Sequence, residues 1–263
     1  MEPTQNNVPI LALENVSIRF GGVEALRNIS FSIPRGQVLA LTGDNGAGKS
    51  TLIKIISGVY QATQGQMRFN GNLMQLREPQ DARQLGIETI YQDLALADNL
   101  DVGSNIFLGR EPIRRRFGLN IIDREKMRAV ALTSLARLDI DIPPHKIDGP
   151  VKMLSGGQRQ AIAIGRAIYW DAKLLIMDEP TAALGVPEQR KVVELIHLLK
   201  AQGVTIILIS HHLHDIFAVA DRILVLRRGE LVGDQMTKDT DGERIVNLMV
   251  GSEYASTKLH EAA

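Results

Sequence analysis

A glycine-rich loop at 43–50 carries the residue types that bind phosphate groups. It reads Gly-Asp-Asn-Gly-Ala-Gly-Lys-Ser, follows the apolar run Val38–Thr42 and precedes Ser50–Ser57, which has helical spacing and ends at Gly58. Glycines accept positive φ, so successive N–H groups can surround phosphate oxygens at the N-terminus of the following helix. The strand, loop and helix order therefore predicts a nucleotide phosphate site.

Lysine and hydroxyl side chains at the end of this loop extend the prediction. We expect Lys49 to bind the β and γ phosphates and the Ser50 hydroxyl to ligate Mg²⁺. The residues predicted to contact the nucleotide here are Gly43, Asp44, Asn45, Gly46, Ala47, Gly48, Lys49, Ser50 and Thr51. The alternative is a glycine-rich turn with a lysine by chance, which the flanking strand and helix disfavour.

Two adjacent carboxylates form a second candidate element. The apolar run Leu174–Met177 has strand character and ends at Asp178, which Glu179 follows. A carboxylate at the end of such a strand can ligate Mg²⁺, and a neighbouring one can polarise an attacking water. We therefore expect Asp178 to be a ligand of Mg²⁺ and Glu179 to be catalytic. The alternative is that Asp-Glu-Pro only begins a loop.

Composition favours a soluble enzyme of a reducing compartment. The 263 residues include 30 basic and 30 acidic side chains and no cysteine, so bulk charge gives no argument for nucleic acid and disulfides are excluded. The polar start of the chain does not resemble a signal peptide. The longest apolar runs are far shorter than the ~20 residues that a membrane helix needs.

The elements that must position these residues alternate between strand and helix. Val204–Ile209 is another continuous apolar run, and a helix predicted from Pro187 to Gly203 precedes it. Near the start, apolar residues alternate as in antiparallel strands, at Leu11, Leu13, Val16, Ile18, Ile29, Phe31 and Ile33. Asn70-Gly71 marks a further hairpin. We predict an α/β fold with a mostly parallel sheet and an antiparallel β layer.

Strand signals fade from Leu94 to Leu154, where helical patterns dominate. Asp123 is a candidate N-cap for a helix that continues to Leu138, before Pro143-Pro144 interrupts the pattern. This region is predicted to be a helical subdomain inserted in the core. Within it, the run Arg114–Arg116 is either a solvated loop or a contact with lipid headgroups.

The segment Leu154–Gln160, Leu-Ser-Gly-Gly-Gln-Arg-Gln, is the most specific motif in the chain. With it, the sequence from Leu11 to Gly251 resembles the ATP-binding subunits of ABC transporters. That resemblance implies a head-to-tail dimer of two copies, with two ATP molecules held between a loop of one copy and the motif of the other. Ser155, Gly156, Gly157 and Gln158 would then contact the γ-phosphate. The alternative is an ordinary serine N-cap with two glycines.

The resemblance assigns three further positions. Phe20 corresponds to an aromatic residue that stacks on adenine, although a strand core residue is an equal alternative. Gln92 corresponds to a glutamine that contacts Mg²⁺ or water, and otherwise would be a polar turn residue. His211 corresponds to a histidine that contacts the γ-phosphate. A zinc site formed with His212 and His214 is disfavoured, because no matching carboxylates accompany them, and these two side chains are expected to face solvent.

One position departs from the family pattern. Gly185 stands where these proteins usually carry an aspartate that crosses the dimer interface, so communication between the two sites could be looser here. Because Glu179, His211 and the 154–160 motif are intact, hydrolysis of ATP is still expected.

The resemblance also sets the expected organisation. It implies one ABC ATPase domain at 10–250, with a core of 10–93 and 160–250 and a helical subdomain at 94–159, between a flexible start at 1–9 and a flexible tail at 251–263. The segments Gly86–Leu94, Asn105–Glu111 and Pro180–Gly185 are similar to monosaccharide importers of the ribose, xylose and fructose kind. The presence of one cassette suggests the single-cassette fructose type.

Such a subunit would work at the cytoplasmic face of the cell inner membrane, as a peripheral protein. Its expected partners are a second copy, two membrane-spanning permease subunits and, through them, an extracytoplasmic sugar-binding protein, with no nucleic acid. Alternatives are an ABC ATPase for another solute, such as amino acids or exported lipids, a non-transport ABC protein acting on DNA or the ribosome, and a regulatory module without hydrolysis.

Overall fold

The computed structural model describes residues 8–116, 118–138, 142–182 and 184–251. Within these residues the strands form three sheets. The strands are β1 (Leu11–Phe20), β2 (Val23–Ile33), β3 (Val38–Gly43), β4 (Gln64–Phe69), β5 (Asn72–Leu73), β6 (Ile87–Ile90), β7 (Ile113–Arg116), β8 (Leu119–Ile122), β9 (Leu174–Asp178), β10 (Thr205–Ile209), β11 (Arg222–Arg227) and β12 (Glu230–Met236).

Helices alternate with these strands as the sequence predicts. They are α1 (Lys49–Ile56), α2 (Pro79–Gln84), α3 (Val102–Phe107), α4 (Arg124–Arg137), α5 (Pro144–Ile147), α6 (Gly156–Tyr169), α7 (Val186–Ala201), α8 (Leu213–Val219) and α9 (Gly242–Val250). Within the described ranges no helix combines the length and the apolar character that crossing a bilayer requires.

The chain divides into two compact units. The first consists of 1–89, 173–179 and 199–263, and the second of 90–172 and 180–198. The helical subdomain predicted at 94–159 falls within the second unit. The predicted flexible ends, 1–9 and 251–263, lie outside the described residues except for 8, 9 and 251.

A six-stranded sheet organises the first unit, in the order β12-β11-β3-β10-β9-β6. Strand β3 pairs in parallel with β10 and β11, and β10 pairs in parallel with β9, whereas β12 runs antiparallel to β11. Strands β3 and β10 are buried along their whole length. Burial on both faces explains their continuous apolar runs, and the predicted, mostly parallel sheet is confirmed.

A second sheet of the first unit has the order β2-β1-β4-β5, and its pairs are antiparallel. This confirms the predicted antiparallel layer and the hairpin at Asn70-Gly71, where both residues have positive φ. The buried faces of both sheets share one apolar core with Leu52, Ile53 and Ile56 of α1. That core fixes α1, and therefore fixes the loop that precedes it.

The second unit has a core of its own, made by α3, α4, α5 and α6. Its buried side chains include Val102, Phe107, Leu135 and Ile162. Helix α4 begins after Asp123, whose carboxylate accepts the N–H of Lys126 at 3.1 Å. The predicted N-cap is therefore confirmed.

The predictions for this unit missed a β-hairpin. Strands β7 and β8 pair antiparallel where only helical and loop patterns were expected, with Ile113 opposite Ile122 and Arg116 opposite Leu119. The predicted loop is therefore wrong as secondary structure, because these arginines form β7, whereas Arg115 is exposed to solvent and the contact with lipid headgroups stays a prediction. Three consecutive arginines hide the alternation by which a strand is recognised.

Candidate functional site

Three glycines shape the 43–50 loop in the way the sequence predicts. Gly43, Gly46 and Gly48 all have positive φ, at 149°, 78° and 106°. A Cβ on Gly43 would lie 2.1 Å from the carbonyl oxygen of Leu226, and one on Gly48 would lie 2.6 Å from Leu26 Cδ2. At these two positions the close approach of neighbouring chain, as well as the φ value, requires glycine.

The N-terminus of α1 opens toward this loop. Gly48 is its N-cap and offers no side-chain hydrogen bond, so the first N–H groups of the helix are not satisfied by a capping side chain. Ser50 is exposed in the first turn. An uncapped helix N-terminus beside a glycine loop fits the phosphate groups of a nucleotide, which such N–H groups bind with the help of the helix dipole.

Lys49 lies against the loop that precedes it. Its Nζ donates to the carbonyl oxygens of Gly43 at 2.7 Å and Asp44 at 3.0 Å. Burial lowers the pKa of Lys49, and the negative charges of Glu179, Asp44 and Asp178 oppose that shift. The Lys49 ammonium group therefore lies near the carboxylates of Asp44, Asp178 and Glu179.

Asp178 ends β9 in the same surroundings. Burial raises the pKa of this carboxyl, and repulsion from Glu179 raises it further, whereas Lys49 and Lys54 lower it. A half-buried carboxylate with a raised pKa is poorly compensated in the protein alone. It would be stabilised by an additional cation, which fits the metal-ligand role predicted for it.

Glu179 is held in a strained and buried position. Its φ is +48°, a value that costs a non-glycine residue about 1–3 kcal/mol. Its side chain is 12% exposed, and its Oε1 lies 2.7 Å from Nδ1 of His211. Its Oε2 is buried without a hydrogen-bond partner among the described residues. A buried carboxylate oxygen with no partner is suited to orient a water molecule.

His211 follows β10 and is the exposed member of that pair, at 57% of its side chain. The structure thus joins two residues that the sequence placed 32 positions apart. His212 and His214 are exposed, as predicted. The loop, Asp178, Glu179 and His211 all belong to the first unit.

Phe20, the last residue of β1, is 45% exposed, so the strand-core alternative for it is wrong. Its ring makes an edge contact with Tyr60 at 5.1 Å between centroids. Tyr60 lies in the loop after α1. It was not predicted from the sequence, because a single tyrosine in a turn belongs to no recognisable motif or periodicity. Lys54 Nζ lies 5.3 Å from the Tyr60 ring, which completes a small aromatic and cationic surface.

The 154–160 motif lies in the second unit, where α6 begins. Ser155 is its N-cap: its Oγ accepts the N–H of Gln158 at 3.3 Å, and Gln158 Oε1 accepts the N–H of Ser155 at 3.1 Å. This reciprocal capping box confirms the local N-cap interpretation. The γ-phosphate contact of Ser155, Gly156, Gly157 and Gln158 stays a prediction.

Asn105 is a residue that the sequence did not single out. It is fully buried in α3, and its Nδ2 donates to the carbonyls of Ala97, Leu100 and Asp101, while its Oδ1 accepts the N–H of Ala97 at 2.7 Å. One side chain thereby fixes the turn at 97–101. A single asparagine carries no spacing signal, so only the fold could reveal this role.

The same turn is tied to the 154–160 motif. Arg159 Nη2 lies 2.5 Å from Asp98 Oδ1, and Lys152 donates its N–H to the Asp98 carbonyl at 3.1 Å. The segment after Gln92 and the start of α6 are therefore mechanically joined within the second unit.

Gln92 and Gly185 both lie in exposed backbone of the second unit. Gln92 is in the bend after β6, which agrees with its predicted place after a strand. A Cβ on Gly185 would lie 2.7 Å from the Glu188 carboxylate, so an aspartate at this position would first have to displace that group. The metal and water contacts of Gln92 stay a prediction.

Comparison with known proteins places the chain among nucleotide-binding cassettes. Residues 26–182 match the family model described as ABC transporter. The chain is 45% identical over 252 residues to the xylose/arabinose import ATP-binding protein XylG of Sulfolobus acidocaldarius, covering 96% of this chain and 98% of that protein. It is 42% identical over 248 residues to the ribose import ATP-binding protein RbsA 2 of Burkholderia cenocepacia, covering 94% and 48%. The chain thus spans nearly all of the first relative and about half of the second.

Solved structures agree in fold. A nucleotide-free ATP-binding cassette from an ABC transporter superposes with a TM-score of 0.78 at 27% identity, covering 93% of this chain and 96% of that one. A cassette in its ADP conformation gives a TM-score of 0.76 at 26% identity, covering 96% and 99%. The predicted fold class is confirmed.

The Gly43→Ala variant tests the loop geometry. The added Cβ would meet the Leu226 carbonyl, so the backbone must shift away from the phosphate-binding conformation. We expect ATP affinity, measured by titration with a fluorescent ATP analogue, to fall at least about tenfold. Gly203→Ala is the matched control, since Gly203 also has positive φ, at 82°, but no described atom lies within 4 Å of its Cβ position. Equal affinities in the two variants would contradict the assignment.

The Asp178→Asn variant tests the electrostatic balance without nucleotide. Because the folded state raises the pKa of Asp178, its ionised form opposes folding, fully at pH values above the raised pKa and not at all once the group is protonated in both states. We expect the variant to melt roughly 1–4 °C higher at pH 7. The gain should shrink as the pH falls toward the ordinary aspartate value. Asp239→Asn, at an exposed carboxylate, should show no such gain in thermal scans.

Proposed function

Because this chain belongs to the family of ABC transporter ATP-binding proteins, we propose that it is the ATP-hydrolysing subunit of an importer for a monosaccharide. The observation that carries hydrolysis is the buried, strained Glu179, whose Oε2 has no described partner and whose Oε1 contacts His211. Strain of this kind persists only where the surrounding structure maintains it, and it concentrates at functional sites.

ATP would bind with its phosphates on the 43–50 loop and its adenine against Phe20 and Tyr60. The uncapped N-terminus of α1 and the Lys49 ammonium balance the phosphate charge. Glu179 would orient the attacking water, and His211 would release Glu179 and contact the γ-phosphate. Mg²⁺, with Ser50, Asp178 and Gln92 as its proposed protein ligands, would neutralise charge on the phosphate oxygens.

Two copies would enclose two ATP molecules, each between the loop of one copy and Ser155, Gly156, Gly157 and Gln158 of the other. ATP favours this closed state because the γ-phosphate binds both surfaces only there. The capping box fixes the side chains of Ser155 and Gln158 at the start of α6. The missing carboxylate at Gly185 would make communication between the two ATP sites looser.

Closure would act on two membrane-spanning permease subunits through Gln92 and the segment Leu94–Leu108, at the cytoplasmic face of the inner membrane. The Asp98–Arg159 ion pair joins this segment to α6, and Asn105 fixes the turn at 97–101 within the segment. A movement of the segment would therefore be transmitted to the start of α6. An extracytoplasmic binding protein would deliver the sugar to the permease.

The sugar assignment rests on the relatives, whose names specify import of xylose and arabinose or of ribose. A fructose-type system is the finer proposal from sequence resemblance. Import of another solute and a role on DNA or the ribosome are alternatives without a supporting observation in the fold. A regulatory module without hydrolysis is disfavoured by the geometry of Glu179.

The Glu179→Gln variant tests hydrolysis. The amide keeps the size of the side chain but removes the charge that orients water, so we expect ATP turnover to fall by about 10²–10⁴ while ATP still binds. Steady-state phosphate release and nucleotide titration measure the two effects. His211→Ala should also lower turnover, whereas His214→Ala, at an exposed position on α8, should not. Near-normal turnover by Glu179→Gln would remove Glu179 from the mechanism.

Reconstitution tests transport. The chain and a candidate permease of the monosaccharide-importer class are placed in proteoliposomes, and ATPase activity is measured with binding protein loaded with xylose, arabinose, ribose or fructose. We expect one of these sugars to stimulate turnover several-fold, and the stimulation to be lost with Glu179→Gln. Turnover that is indifferent to every sugar and to the permease would contradict sugar import while leaving the ATPase assignment in place.

A further inference from the structure

The β7–β8 hairpin (113–122) presents aliphatic side chains to solvent. Ile113 is 65% exposed, Leu119 is 68% exposed and Ile122 is 50% exposed. Ile113 and Ile122 face each other across the two strands, with Arg115 and Asn120 as the next pair on the same face. All four residues of this face are exposed. The apolar core of the second unit, by contrast, includes none of them.

The same hairpin is basic. Arg114, Arg115 and Arg116 are consecutive, and 113–122 contains no acidic residue. Arg114 has a partner in Glu125 at 3.0 Å, which ties β7 to the start of α4, whereas Arg115 is exposed on the same face as Ile113 and Ile122. Arginine interleaved with aliphatic side chains is the composition of segments that lie at a membrane surface.

The base of the hairpin is anchored beside α3. The guanidinium of Arg110 lies 4.5 Å from the centroid of the Trp170 ring. The backbone N–H of Arg110 donates to the Phe107 carbonyl at 2.7 Å. Phe107 in turn packs edge-on against Trp170. This packing holds the chain between Leu108 and Ile113, which can span at most roughly 17 Å.

We propose that the exposed face of the β7–β8 hairpin, formed by Ile113, Arg115, Asn120 and Ile122, is a peripheral membrane contact, which binds the phosphate groups of anionic phospholipids through Arg115. Ile113 and Ile122, which share the exposed face with Arg115, would enter the boundary between headgroups and acyl chains. Charge complementarity favours a lipid surface, since the hairpin sequence carries three arginines and no acidic residue, and a plane of phosphates can pair with an exposed guanidinium without requiring a defined register. The proposal rests on the proposed function for its setting, because a subunit that docks on a permease works beside the bilayer in which that permease sits.

Binding to vesicles tests the contact directly, without nucleotide or permease. The purified chain is sedimented with vesicles of phosphatidylcholine alone or with 30% phosphatidylglycerol. We expect it to bind the anionic vesicles, and the triple variant Ile113→Ser/Arg115→Gln/Ile122→Ser to bind them at least about tenfold more weakly, because each arginine near an anionic surface contributes about fivefold. Binding of the wild type should also decrease at 0.5 M NaCl.

The matched control is Arg244→Gln/Val246→Ser/Val250→Ser on α9. These three residues are exposed, and the variant makes the same change of charge and a similar loss of aliphatic surface in the first unit. It should bind like the wild type. The single variant Arg115→Glu keeps the aliphatic side chains of the hairpin, and it should lose binding to anionic vesicles while keeping the thermal stability of the wild type.

Three outcomes would overturn the proposal. These are no binding of the wild type to anionic vesicles, equal binding of the hairpin and control variants, and a hairpin variant that keeps vesicle binding but loses stimulation by the permease in detergent. The last would mean that the hairpin contacts protein instead of lipid. None of them would affect the ATPase or sugar-import assignments, which are measured separately.

Discussion

The electrostatic balance around Lys49 is the constraint on which the rest of the structure depends. One ammonium group, with its pKa lowered by burial, faces the carboxylates of Asp178 and Glu179, and the pKa of Asp178 is raised. Like charges held close in a half-buried site destabilise the protein alone. The same charges can bind phosphate groups and a divalent cation more strongly than water does. The site therefore lowers folding stability and favours ligand binding.

That balance depends on a backbone that holds these charged groups at fixed distances from one another. The apolar core beneath α1 and the buried strands β3, β9 and β10 supply it, because parallel strands bring the loop, Asp178 and the segment before His211 to one edge of one sheet. The core can therefore maintain a positive φ at Glu179, which an isolated loop would relax. In the second unit Asn105 performs a similar task for the turn at 97–101, through hydrogen bonds instead of apolar packing.

The β7–β8 hairpin contributes to neither of these two tasks in the described contacts. None of its described residues belongs to the apolar core of its unit, and Ile113, Leu119 and Ile122 are exposed. Its anchoring through Arg110 and Glu125 shows that its position is fixed although its outer face is free. A fixed, basic and partly apolar face is what a peripheral contact with a charged surface needs.

The sequence by itself determined the elements whose signals are local. The glycine pattern at 43–50, the apolar strands before Asp178 and His211, the N-caps Asp123 and Ser155 and the Asn70-Gly71 turn all follow from backbone φ or periodicity, and the structure has each of them. The tertiary structure decided what depends on distant partners. The contact of Glu179 with His211, the strain at Glu179, the exposure of Phe20 against Tyr60, the bonds of Asn105 and the β7–β8 hairpin were invisible in the chain, because contacts between residues far apart in sequence leave no spacing to read.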